Sequence, residues 1–191
     1  IDANKNQVCL IPNQQGELAR IIVTAEKHAG VWDYAFVIPH LPDGQFSLAS
    51  EDPEQQDKFI FSWAMASYQF NAYHSSNKNK KQLAIALTTK QKAIIESIYL
   101  VRDLINFPSE DCNPQHLFEV THFLAEQYHA ECQQILGDDL LTQNFPAIHR
   151  VGRASQISPR LIELTWGDPS HEKITLIGKG VCFDTGGMDI K

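Results

Sequence analysis

The sequence of 191 residues lacks a Cys-x-x-Cys pair, an apolar run of membrane-spanning length, and any surplus of positive charge. Its four cysteines, Cys9, Cys112, Cys132 and Cys182, stand far apart. That spacing argues against a zinc ribbon and against a thioredoxin-like redox motif. Sparse cysteine fits reduced thiols in a cytoplasm, although four could still form two bridges. A membrane helix needs about 20 consecutive apolar residues, and no such run or signal-peptide pattern is present. The expected location is therefore cytoplasmic, with no membrane partner. The chain opens on Ile1 rather than Met, so its start is expected to lie upstream or to be processed. Lysine and arginine total 16 against 23 acids, a net charge of −7. Nonspecific nucleic-acid binding needs clustered positive charge, so nucleic acid is not an expected partner.

What is present is an ordinary globular composition, 43% hydrophobic, with length for one domain or two small ones. Residues 8–11, 20–24 and 34–38 are short apolar runs between turn signals (Gly16, Gly30, Pro39, Pro42, Gly44) and predict strands. Residues 46–48 predict a short edge strand. His28 and His40 fall in or beside turns and read as surface polar residues, because nothing nearby pairs with them as a catalytic base requires.

From Asp52 the period changes to that of a helix. Asp52 is a cap, Pro53 a first-turn proline, and Phe59, Trp63, Ala66 and Phe70 recur on one face. The polar run 75–81 predicts the end of this helix and a solvated loop. Residues 83–87 predict a β-type run. Thr88 and Gln91 then form a capping-box pattern, and Ile94, Ile98, Val101 and Ile105 mark the expected buried face of the helix that follows. We read that helix as the connection between an N-terminal domain, residues 1–87, and a second region, residues 88–191.

Asn113-Pro114 predicts the next helix start, with Leu117, Val120, Leu124 and Tyr128 on its buried face. His116, His122 and His129 read as structural or solvent-exposed, since no His-Glu-x-x-His and no acidic partner completes a metal site. Residues 132–136 predict a strand, Asp138 a cap for a short helix through 141–144, and Pro146 a second short helix closed by Gly152. Residues 161–166 and 174–177 predict strands that pair as a hairpin across Gly167-Asp168-Pro169, inside a mixed sheet.

The densest chemistry lies in the last fifteen residues, from Ile177 to Lys191. Gly178 and Gly180 flank Lys179, and Gly186-Gly187 follows Asp184. Such glycines allow tight bends and close approach to a ligand. A phosphate loop would need Gly-Lys-Ser/Thr before a helix, but Lys179 is followed by Gly180 and an apolar run. Two tight turns with a surface lysine, or a site for a cation or phosphate, remain as readings of the residues alone.

This block resembles the signature of the leucine aminopeptidase (cytosol aminopeptidase) family: Gly-Lys-Gly, then Phe183-Asp184-Thr185-Gly186-Gly187, then the closing Lys191. The resemblance extends upstream to residues 63–73, to Arg102-Asp103-Leu104-Ile105-Asn106 with Pro108 and Pro114, and to residues 151–155 and 159–162. It covers about residues 60–191. It implies an α/β protein, with a small macro-like N-terminal α/β domain followed by the beginning of a mixed-sheet metallopeptidase catalytic domain. It implies two divalent ions, Mn2+ or Zn2+, with Lys179 as a neutral amine on one and Asp184 on both. It implies that Lys191 stays cationic, binds substrate and stabilises charge on the carbonyl oxygen. Further carboxylates and an arginine-held bicarbonate are implied at positions beyond Lys191.

The expected function is therefore a metal-dependent aminopeptidase. It releases N-terminal, leucine-like residues from peptides with a two-metal activated water, and works as a cytoplasmic homohexamer. The 191 residues are expected to be the front part of a longer enzyme and inactive alone. The alternative is a catalytically incomplete binding or structural module, for a nucleotide, for DNA or as part of an oligomer.

Overall fold

The computed structural model describes residues 7–25, 29–74 and 80–182. His28, Asp184 and Lys191 therefore lie outside the described residues. The chain divides into two compact units between Asp103 and Leu104.

The first unit begins with a hairpin. Strands β1 (Gln7–Pro12) and β2 (Leu18–Thr24) pair antiparallel, with an irregularity at Ile11/Pro12. Asn13 builds the turn: its Oδ1 accepts the backbone N–H of Gln15 and of Glu17, both at 2.9 Å. Gly16 takes φ +85° there, a left-handed conformation that suits glycine.

The strand expected over 34–38 is not formed. Val31–Tyr34 is a 3-10 turn, and Val37–His40 is a short helix, α1. The reason is local and then tertiary. Asp33 Oδ2 accepts the N–H of Gly30 at 2.6 Å and closes the turn. The buried residues Val37, Ile38 and Leu41 then follow helical spacing, not alternation, and pack with Trp63 in a core cluster.

Strand β3 (Gly44–Phe46) pairs parallel with β4 (Lys81–Leu83), Gly44 opposite Lys81. The crossover between them contains α2 (Pro53–Ser67). Asp52 caps α2 by accepting the N–H of Glu54 at 3.0 Å, and Pro53 occupies the first turn. The helix ends at Ser67, so Phe70 lies beyond it, and Ala66 is exposed; the buried side is Ile60, Ser62, Trp63 and Met65. The β-type run expected over 83–87 is a strand only as far as Leu83.

Helix α3 (Thr89–Asn106) has the expected capping box: Thr88 N–H donates to Gln91 Oε1 at 2.8 Å, and Gln91 N–H to Thr88 Oγ1 at 3.2 Å. Its buried face is rotated from the expected one. Gln91 and Ile95 are buried and Ile98 is half-buried, whereas Ile94, Val101 and Ile105 are exposed. Polar side chains fix the rotation. Tyr99 Oη donates to Ala64 O, and Arg102 donates to Met65 O at 2.8 Å, so α3 satisfies two carbonyls near the C-terminal end of α2. Asp103 accepts from Tyr68 Oη at 2.7 Å, and the Arg102 guanidinium lies over the Tyr68 ring. The Arg102-Asp103 dipeptide is thus a joint between α2 and α3.

The second unit holds α4 (Pro114–Tyr128), β5 (Glu131–Leu136), α5 (Asp139–Thr142), α6 (Pro146–Gly152) and β6 (Arg160–Thr165). Asn113 Oδ1 accepts the N–H groups of Gln115 and His116, which caps α4. Leu117, Val120 and Leu124 are half-buried as expected, but Tyr128 is exposed and Ala125 is the buried residue. His129 does not belong to the helix; it is the left-handed residue that ends it, at φ 55°. Asp138 makes no side-chain cap to α5, because its carboxylate faces His149 Nε2 on α6 at 3.0 Å.

Strand β6 pairs antiparallel with β5, Leu136 opposite Arg160, in a two-stranded sheet. The hairpin expected between 161–166 and 174–177 is absent. Residues 174–177 form no strand, and Ile174, Leu176 and Ile177 are 85%, 91% and 94% exposed. A strand exists only where a neighbour accepts its backbone hydrogen bonds, and none of the described residues does so here.

Candidate metal centre

The approach to the glycine-rich block starts where β6 ends. Trp166 Nε1 donates to Tyr128 O at 3.1 Å, which ties the end of β6 to the C-terminal end of α4. Gly167 takes φ +101°. Asp168 then closes a turn, its Oδ1 accepting Ser170 N–H at 2.8 Å and Ser170 Oγ at 2.7 Å. Those two hydrogen bonds, the backbone one foremost, hold the Asp168 carboxyl below its usual range. The Oδ1 atom is thus committed to the turn.

Beyond the turn the chain runs without regular structure to Cys182. At Gly180 it comes close to the rest of the unit. A Cβ there would lie 3.2 Å from Leu117 Cδ1 on α4, so the backbone passes close against the first turns of that helix. Glycine at 180 is thus explained by close approach, whereas Gly178 faces open space. Lys179, between them, is exposed. Cys182 is half-buried, and Cys112, just before the α4 cap, is buried. Burial pushes both thiols up, and Cys112 adds to the effect on Cys182.

Of the three site residues expected from sequence, Lys179 is described, and Asp184 and Lys191 lie outside the described residues. Among the described residues no group of three or more His, Cys, Asp and Glu side chains converges as a metal site. His116 packs edge-on against Phe107, and His122 stacks on Phe118 within 3.5 Å of Glu126. Amine nitrogen and carboxylate oxygen, the donors Lys179 and Asp184 carry, suit a divalent ion, but two donors do not close a site.

Sequence reasoning missed the pairing of Asp138 with His149. Asp138 looked like a cap, and only the packing of α6 against α5 reveals its partner. Arg160 was also missed. Its guanidinium lies 5.9 Å from the Phe118 ring centre and donates to Gln134 Oε1 at 3.0 Å. Nothing in local sequence marks an arginine that stacks across a strand and a helix.

Comparisons with known proteins bear on the whole chain. Residues 1–86 match the family model described as the M17 aminopeptidase N-terminal domain, and residues 99–191 match that of the cytosol aminopeptidase family catalytic domain. A probable cytosol aminopeptidase of Wolinella succinogenes is 32% identical over 146 residues, 66% of this chain and 30% of that protein. One of Chlamydia abortus is 34% identical over 113 residues, 58% of this chain and 23% of that protein. The chain thus spans less than a third of the curated relatives it matches. Among solved structures, the cytosol aminopeptidase from Coxiella burnetii superimposes with TM-score 0.84 at 38% identity, covering 97% of this chain and 41% of that one. The bottromycin maturation enzyme BotP in complex with Mn shares the fold, with TM-score 0.66 at 20% identity over 88% of this chain and 41% of its own.

Proposed function

Because the chain belongs to the cytosol aminopeptidase family, we propose that the protein containing it is a metal-dependent aminopeptidase that releases leucine-like residues from the N-termini of peptides. The observation that carries this reading is the spacing of Lys179, Asp184 and Lys191 within Gly-Lys-Gly and Asp-Thr-Gly-Gly, inside the span matched to the catalytic domain. The Mn complex of BotP supports the metal by analogy of fold. The proposed ions are two, Mn2+ or Zn2+.

Bound there, divalent ions supply an activated water and a polarised carbonyl. Lys179 and Asp184 serve as ligands. Lys179 must lose its proton to donate an electron pair, which nearby positive charge favours. The backbone beside it, at Gly180, passes close to Leu117 of α4. Lys191 keeps its proton and donates to the substrate carbonyl oxygen as negative charge develops on it. The remaining ligands, a bicarbonate, a hexameric assembly and a cytoplasmic location are proposed with this reading. Among the described residues no helix is long and apolar enough to cross a membrane.

The test is hydrolysis of leucine anilide by the protein as its source makes it, after chelation and after adding back Mn2+ or Zn2+. Activity is expected to return with metal. Lys191→Ala is expected to lower turnover by about 100-fold or more with metal still bound, the scale of losing one charge-stabilising donor. Absent hydrolysis would leave the binding-module alternative standing, and metal-independent hydrolysis would overturn the metal.

A further inference from the structure

Lys179 stands between two glycines that meet different surroundings. A Cβ built at Gly178 has nothing within 4 Å, whereas one at Gly180 lies 3.2 Å from Leu117 Cδ1, inside the 3.4–4 Å of ordinary van der Waals contact. Gly180 is not among the glycines of positive φ, so the position uses the missing side chain rather than the backbone freedom of glycine. Every residue from Glu163 to Val181 is exposed and Cys182 is half-buried, so burial resumes just past this point.

Leu117 is built to act as a seat. It lies in the first turns of α4, whose start Asn113 caps with two hydrogen bonds. Its own N–H donates to Asn113 O at 3.1 Å, and its carbonyl accepts Thr121 Oγ1 at 2.7 Å. The residue is half-buried, which restricts its rotamers. A lysine ligand needs such support. Its four-carbon stem is flexible and its ammonium strongly hydrated, so holding the amine on a metal costs conformational entropy. Fixing the backbone beside it in advance lowers that cost.

We propose that Leu117 is a positioning residue for the metal ligand Lys179, acting through its contact with the backbone at Gly180. The proposal rests on the reading of Lys179 as a ligand. It adds a residue of α4 that donates nothing to the metal and sets how tightly the metal is held.

The experiment measures the Mn2+ dissociation constant by titration calorimetry, on the protein as its source makes it, after chelation. Leu117→Ala removes the seat, and Gly180→Val lifts the segment from it. Each is expected to weaken Mn2+ binding about tenfold, the lower end for residues that orient metal ligands. The two together are expected to regain most of that loss, because the valine fills the space the leucine leaves. Leu124, also half-buried on α4, is the control: Leu124→Ala is expected to leave Mn2+ affinity unchanged. If Gly180→Val fails to fold, Leu117→Ala against Leu124→Ala decides. Mn2+ binding by the natural protein with no loss in Leu117→Ala, losses that add in the combined variant, or an equal loss in Leu124→Ala would overturn this proposal alone. No Mn2+ binding by the natural protein would overturn the metal reading, and this proposal with it.

Discussion

The two units obey the same local rules and differ in burial. Up to Asp103, two clusters of buried side chains form, one around Val37 and Trp63, the other around Ile60, Met65 and Ile95. From Leu104 on, the buried apolar residues among those described are Cys112, Ala125 and Leu140, and no cluster forms among them. Yet α3 and α4 are capped equally well, by Thr88 with Gln91 and by Asn113. Capping is local and asks nothing of distant chain. A core asks for many partners at once. The first unit holds its partners, whereas the described part of the second leaves its most apolar stretch, Ile174 to Ile177, in the open.

Truncating one tryptophan in each unit tests this contrast most sharply. Trp63→Ala is expected to cost about 3–5 kcal/mol, the scale of deleting a buried aromatic. Trp166→Ala, 74% exposed, is expected to cost about 0.5 kcal/mol. Urea unfolding followed by circular dichroism measures both, and equal losses would break the comparison. Next in size is Arg102→Ala. It removes a charged hydrogen bond to Met65 O at the end of α2, an expected loss of about 1.5–3 kcal/mol on the same assay. The caps should then show what the units share. Thr88→Ala and Asn113→Ala are each expected to cost about 1 kcal/mol, and unequal losses would mean that capping, too, depends on the surrounding core.

The smallest effect is a pH dependence. Burial pushes the Tyr99 phenol up, with Arg102 partly opposing. A folded value above the unfolded one, near 10, means the folded state holds the proton longer. Its contribution is therefore complete below about pH 10 and is lost as pH rises through the folded value. The urea midpoint should fall above about pH 10 in the natural sequence and fall less in Tyr99→Phe. A Tyr99→Phe profile parallel to that of the natural sequence would contradict this.

Legibility in sequence followed the same division. Asp52 with Pro53, Thr88 with Gln91, and Asn113 with Pro114 mark helix starts because a cap is written within four residues. The face of α3 was not legible. Ile94, Ile98, Val101 and Ile105 form as good a stripe as the one that is buried, and the choice falls to Tyr99 and Arg102 reaching the carbonyls of α2. Strands were legible in the hairpin β1 and β2 and also in β5 and β6, whose partners lie far apart in sequence, and failed at 34–38 and 174–177. At 34–38 helical spacing of core residues won, and at 174–177 no described neighbour exists. The proposed metal motif is legible as a pattern of residues, and the structure adds to it the close approach of Gly180 to α4. The Asp138–His149 and Arg160–Phe118 contacts were invisible because each joins elements that only tertiary packing brings together.

The central claim is that Lys179 and Asp184 hold divalent metal for peptide hydrolysis. The most direct measurement is bound manganese per protein chain, by elemental analysis after equilibrium dialysis, in the protein as its source makes it and in its Asp184→Ala variant. The account predicts two ions per chain in the former and a loss of metal together with leucine-anilide turnover in the latter. Full manganese occupancy and retained turnover in Asp184→Ala would contradict it.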